Sequence, residues 1–169
     1  CKKNNKNSEE ERIHSLFKIT SESFENNEIC FEAFGNSFLL YVILYYLKNN
    51  NNKLPFLLDF GGGPGKSVMM LKQIFGDEFS NRFSLIEKED YVKESKKFNY
   101  SSVLNYSSNI DEVIKNNKVD IFFSSGVIQY LDNPYSFLKK ISNFEIPIIA
   151  LTRNNFSNKD KIIVQKYTF

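Results

Sequence analysis

With only two cysteines, Cys1 and Cys30, the chain has no disulfide framework and no metal-ligand spacing. It has one histidine, His14, in a polar N-terminal stretch where a surface position is expected, so no histidine-based catalytic pair can be read. An excess of one charge is absent as well. The 22 Lys and Arg stand against 20 Asp and Glu, and the resulting +2 is too little to argue for nucleic acid or a membrane surface as partner. Long apolar runs are missing. The longest, Phe38 to Leu47, covers ten residues where a membrane span needs about eighteen, and it reads as a buried helix.

What is present is enough for one packed domain. The chain has 169 residues, 41% of them hydrophobic, with 17 Phe and 9 Tyr among them. Residues 1–10 read as a disordered polar start and 11–169 as a single domain. Cys1 before a polar, charged stretch also matches the lipidated start of a bacterial lipoprotein, although trimming of a longer chain is the preferred account of the missing Met. Helices are expected over 10–27 and 37–48, with the asparagine run Asn49 to Asn52 as a loop. From residue 54 onward, strands and helices alternate. Strands are predicted at 54–60, 82–87, 102–106, 119–124, 146–152 and 162–167. Helices are predicted from Ser67, over 91–98, over 110–116 behind the cap Asn109, and over 134–141 with Pro134 in the first turn. Such alternation implies right-handed β-α-β units on a mostly parallel sheet: a Rossmann-like, three-layer α/β/α sandwich.

The first core strand, Leu54 to Phe60, runs into Gly61-Gly62-Gly63-Pro64-Gly65 and then a helix. A bare-backbone turn before a helix N-terminus offers N–H groups to a polar small molecule. A Walker A loop needs its first glycine at position 60, which is Phe60, so Lys66-Ser67 is its only support. The dinucleotide pattern G-x-G-x-x-G fits Gly61 and Gly63 but places its third glycine on Lys66, whose long side chain spoils the close helix–strand contact. Acid-x-Gly-x-Gly-x-Gly fits throughout, at Asp59, Gly61, Gly63 and Gly65.

Doubly wound sheets bind ligands at the C-terminal ends of their strands. Each unusual group falls at such an end: Asp59 to Gly65, then Glu87, then Tyr106 and Ser107, then Ser125, Gly126, Gln129 and Tyr130, then Thr152 and Arg153. Glu87 can accept hydrogen bonds from both hydroxyls of a ribose. That supports a nucleoside without choosing between nicotinamide and adenosyl cofactors. Arg153 can grip an anionic acceptor, Gln129 and Tyr130 are pocket candidates, and Asp132 before Asn133-Pro134 reads as a turn or cap residue. No catalytic residue stands out; Tyr130, Gln129 and Arg153 are weak candidates.

With these residues the chain resembles the class I S-adenosylmethionine-dependent methyltransferases, whose first motif has the form found at Asp59 to Gly65. Residues 35–169 carry the resemblance. Together with IEKEDY, SSGVIQYLDNPYSFL and LTRNNF, they look like a group of bacterial methyltransferases, some encoded near surface-polysaccharide genes. The resemblance implies S-adenosylmethionine as cofactor, held by Asp59, Gly61, Gly62, Gly63, Gly65, Glu87, Tyr106, Ser107, Ser125 and Gly126, and no metal. It further implies a small-molecule acceptor such as a sugar, and a cytoplasmic enzyme. The family closes its sheet with a C-terminal hairpin, and Phe169 falls in or just after the sixth strand, so that hairpin reads as truncated. A nicotinamide-dependent oxidoreductase, a P-loop NTPase and an inactive nucleoside-binding relative remain as alternatives.

Overall fold

The structure, a computed structural model, describes residues 4–26, 33–98 and 104–154. Within them the chain runs α1 (Asn4–Glu25), α2 (Ala33–Asn49), β1 (Leu57–Phe60), α3 (Lys66–Phe75), β2 (Phe83–Ile86), α4 (Glu89–Ser95), β3 (Tyr106–Ser107), α5 (Ile110–Asn116), β4 (Ile121–Ser125), α6 (Pro134–Ser142) and β5 (Ile148–Thr152). All five strands are parallel, in the order β3-β2-β1-β4-β5. The order reverses between β1 and β4, which makes the C-terminal ends of those two strands the switch point of a Rossmann-like sheet.

Side-chain alternation builds the layers. Leu57 of β1 and Ile121 and Phe123 of β4 face a core shared with α1, α2 and α3, through Phe17, Leu39, Ile43, Met70 and Leu71. Leu58 and Phe122 face the opposite core, against Val113 of α5 and Ile141 of α6. Both faces are covered, as an all-parallel sheet requires. The asparagine run after α2 is the expected loop: Asn51 and Asn52 take left-handed conformations (φ 52° and 59°), and Asn52 N–H returns to the Leu47 carbonyl at 3.0 Å.

Several boundaries differ from those predicted. Helix α1 begins at Asn4, inside the stretch expected to be disordered, because Glu9 to Glu11 favour helix and the apolar positions Ile13 and Phe17 dock it on the domain. Strand β3 is Tyr106–Ser107 rather than 102–106; residues 101–103 lie outside the described residues. The cap of α6 is Asn133, which accepts from Ser136 N–H at 3.0 Å, and not Asp132. Asn109 caps α5 as expected, accepting from Glu112 N–H at 3.2 Å. The predicted sixth strand, Cys1 and Cys30 lie outside the described residues.

Helix α1 is fastened to α4 by a buried carboxylate. Glu94 accepts from His14 Nδ1 at 2.7 Å and from Lys97 Nζ at 2.6 Å. Burial pushes its carboxyl up, but the hydrogen bonds from Lys97 and His14 outweigh that and hold it below its ordinary value. A lowered carboxylate contributes stability that is complete above the unfolded value and is lost as pH falls through the folded one. Glu94→Gln is therefore expected to lower Tm at pH 7 by about 3–6 °C, from about 1–2 kcal/mol of lost charged hydrogen bonding. In thermal melts, that deficit should shrink as the pH falls below the ordinary carboxylate range. A deficit constant from pH 7 to pH 3 would contradict the assignment.

Candidate functional site at the strand ends

The glycine turn leaves β1 with Gly61 N–H still bonded to the Ile86 carbonyl at 2.8 Å, so the sheet ladder runs up to the bend. Gly61 then takes φ 77°, and a Cβ on it would lie 2.4 Å from Val127 Cγ2. Only glycine meets both conditions. The same contact shows that the turn after β1 and the loop after β4 touch. Gly63 differs. Its φ is 57°, yet nothing lies within 4 Å of where its Cβ would be, so this part of the bend faces open space. Gly65 ends the turn as the N-terminal flank of α3, its N–H on the Gly62 carbonyl at 3.1 Å and its carbonyl accepting from Met69 N–H at 2.9 Å.

Gly63 is held from both sides. Its N–H donates to Glu87 Oε1 at 2.8 Å, and its carbonyl accepts from the Tyr106 hydroxyl at 3.1 Å. The acid at the end of β2, the next strand in the chain and the neighbour of β1 in the sheet, was predicted from position alone and reaches the bend. The second oxygen of Glu87 accepts from Lys88 N–H at 3.1 Å. Tyr106, expected as a cofactor contact, braces the turn through its hydroxyl.

Beneath the bend lies Asp59, 2% exposed, with Oδ2 lacking any hydrogen-bond partner. A Cβ on Gly62 would come within 2.7 Å of that oxygen, so the carboxylate sits directly under the turn. Burial, and then the charge of Glu87, push the Asp59 carboxyl up to about 7. A buried, unpartnered carboxylate is unfavourable for folding, and strain of this kind gathers at binding sites.

The remaining sequence-predicted residues divide into two groups. Ser107 turns back on its own chain, its Oγ accepting from Asn109 N–H at 3.0 Å, and Ser125 Oγ accepts from Thr152 Oγ1 at 2.9 Å. Neither contacts the glycine turn in these bonds. Gly126, Gln129 and Arg153 gather at the ends of β4 and β5. Gln129 Nε2 approaches the Gly126 carbonyl at 3.4 Å, and a Cβ on Gly126 would lie 3.5 Å from Arg153 Cβ and 3.9 Å from its Nε. Tyr130 follows on a short 3-10 turn, Ile128–Tyr130, and is 67% exposed.

Sequence reasoning missed the pairing of His14 with Glu94, whose partners lie 80 residues apart. An open cleft of about 560 Å³ lies between α1 and α4, lined by Glu10, His14, Asp90, Lys93 and Lys97 among others, and no residue of the glycine turn borders it. Among the described residues there is no group of His, Cys, Asp or Glu that could hold a metal ion, and no helix long and apolar enough to cross a membrane. No protein family, curated protein or solved structure matches this chain.

Proposed function

We propose that this chain binds S-adenosylmethionine at the glycine turn and transfers its methyl group to a small-molecule acceptor. The observation that carries the reading is the Glu87 carboxylate on Gly63 N–H at 2.8 Å. It puts an acceptor-only group beside a bare-backbone bend at the switch point of a parallel sheet, the arrangement that suits a ribose next to a polar tail. Asp59 lies directly beneath the same turn, its buried Oδ2 without a partner. Gly63 leaves room above it. Lys66, the first residue of α3, stands where a nicotinamide fold places its third glycine, and this favours the adenosyl cofactor.

The sulfonium of the bound cofactor supplies an electrophilic methyl group. The protein's own work is then to position and to exclude water. Glu87 fixes the sugar, Tyr106 keeps the bend from shifting, and the loop after β4, touching Gly61 through Val127, forms the neighbouring wall.

Calorimetric titration with S-adenosylhomocysteine, NAD and ATP in parallel tests the reading. Heat is expected with S-adenosylhomocysteine alone, and Glu87→Gln should weaken that binding by about 10–100-fold, the equivalent of about 1.5–3 kcal/mol for hydrogen bonds to a charged group. Heat with NAD or ATP alone would overturn the proposal in favour of an oxidoreductase or an NTPase. Heat with none of the three would overturn it in favour of a non-enzymatic domain.

A further inference from the structure

Resting on that reading for the ligand it serves, we infer that the glycine turn is a proton-operated latch. Glu87 closes it on Gly63 while Asp59 keeps its proton, and the latch is released when Asp59 gives that proton up. Two carboxyl groups flank the same turn. Asp59 lies beneath, its buried Oδ2 without a partner and 2.7 Å from where a Gly62 Cβ would stand. Glu87 lies alongside, its Oε1 on Gly63 N–H at 2.8 Å and its Oε2 on Lys88 N–H at 3.1 Å. One negative charge is thus provided with donors. A second, on an oxygen that has none, is set against the first across the turn. The other charged and titratable groups on the elements around the pair are Lys66 at the start of α3, Lys88 after Glu87, Tyr91 of α4 and Tyr106 of β3. Tyr91 is pushed up by burial first, with the Glu87 charge among the lesser causes, and Tyr106 reaches the Gly63 carbonyl. On the Asp59 proton, burial acts first and the Glu87 charge second, and its exchange falls at about 7.

The geometry decides which parts move. Asp59 is fixed in β1, between Leu85 of β2 and Phe123 of β4, whereas Glu87 is half-buried just past the end of β2. Gly61 is stopped by Val127, Gly62 by Leu85 and Gly65 by Leu104, where an added Cβ would lie 2.4, 2.4 and 2.6 Å from those side chains. Around the Cβ position of Gly63 nothing lies within 4 Å. The turn therefore gives at Gly63 alone. Its carbonyl stays on the Tyr106 hydroxyl at 3.1 Å, a pivot about which its N–H can leave Glu87. Below pH 7 Asp59 is neutral and the latch is closed. Above it, repulsion between the two carboxylates drives Glu87 toward water and releases Gly63 N–H. The closed form is the one that presents Glu87 to a ribose, so ligand affinity falls as pH rises through neutrality.

NMR of the full chain without ligand, from pH 5 to pH 9, tests the latch. The Asp59 carboxyl carbon should titrate near 7, and the Gly63 amide should follow it with the same midpoint. The Gly61 amide, bonded to the Ile86 carbonyl, should stay still. At pH 8.5 the Gly63 amide should exchange with water about tenfold faster in the parent chain than in Asp59→Asn, the equivalent of about one hydrogen bond. Glu87→Gln should move the Asp59 midpoint down. S-adenosylhomocysteine lacks the sulfonium charge that would itself act on Asp59. It should bind the parent chain about tenfold more weakly at pH 8.5 than at pH 6, and Asp59→Asn equally at both. An Asp59 carboxyl that does not titrate in this range, or a Gly63 amide that ignores it or moves alike in Asp59→Asn, would overturn the inference. So would a parent chain that binds S-adenosylhomocysteine equally at both pH values. Absence of binding at every pH overturns the methyl-donor reading instead, and the free chain still decides the latch.

Discussion

Asp59→Asn is expected to raise the melting temperature at pH 8 by about 10 °C and to leave it nearly unchanged at pH 4. The carboxyl of Asp59 is pushed from its ordinary 3.8 up to about 7, by burial first and by the Glu87 charge second. Below the ordinary value both folded and unfolded chains hold the proton. Between that value and 7 only the folded chain holds it, so stability falls as pH rises. Above 7 both have lost it, and the penalty is complete. A shift of this size corresponds to a penalty on the order of 4 kcal/mol at alkaline pH, and each kcal/mol moves Tm by about 2–4 °C in a domain of this length. Asparagine keeps the shape and has no charge to bury. Calorimetric melts of both proteins from pH 4 to pH 9 check this, and parallel curves across that range would show that Asp59 is ionised and satisfied in the fold. Glu87→Gln removes the second cause, so it should flatten part of the pH dependence of the parent chain.

The second large effect separates two glycines of the same turn. Gly61→Ala should cost about 3–5 kcal/mol in urea unfolding, combining a left-handed backbone with a methyl group driven into Val127 at 2.4 Å. Gly63→Ala meets only the backbone term, about 1–2 kcal/mol, because open space surrounds its Cβ. The order reverses for ligand. The Gly63 methyl projects where S-adenosylhomocysteine is proposed to lie, so this milder variant should lose binding almost entirely. Val127→Ala in the Gly61→Ala background should recover part of the lost stability, and this coupling is measurable as a double-mutant cycle. Equal destabilisation by the two alanines would mean that the bend relaxes as a unit.

Much of this site could be read before any coordinates. Strand, glycines and helix are local patterns, and the strand ends line up because β-α-β units are nearly obligatory in their handedness. The approach of Glu87 to the glycine turn was legible in this way, from its place after the second strand. What escaped depends on which side chains meet across the fold. Nothing local marks His14 as the partner of Glu94, or Tyr106 as the brace of Gly63. The orphaned oxygen of Asp59 is likewise a property of its neighbours, not of its motif. The limits of β3 were misjudged because two paired residues carry almost no periodicity. The onset of α1 was misjudged because polar composition argues for disorder until one sees Ile13 and Phe17 find a surface.

Phe17 is fully buried, its ring within 6.2 Å of Tyr91, 5.6 Å of Phe98 and 6.1 Å of Tyr106. Tyr106 is the residue whose hydroxyl steadies the bend. The leading helix is therefore the footing of the glycine turn, although it precedes the first core strand by some thirty residues. A fragment cut down to the alternating strands and helices would retain every glycine of the turn and yet lose the ring that keeps them in place.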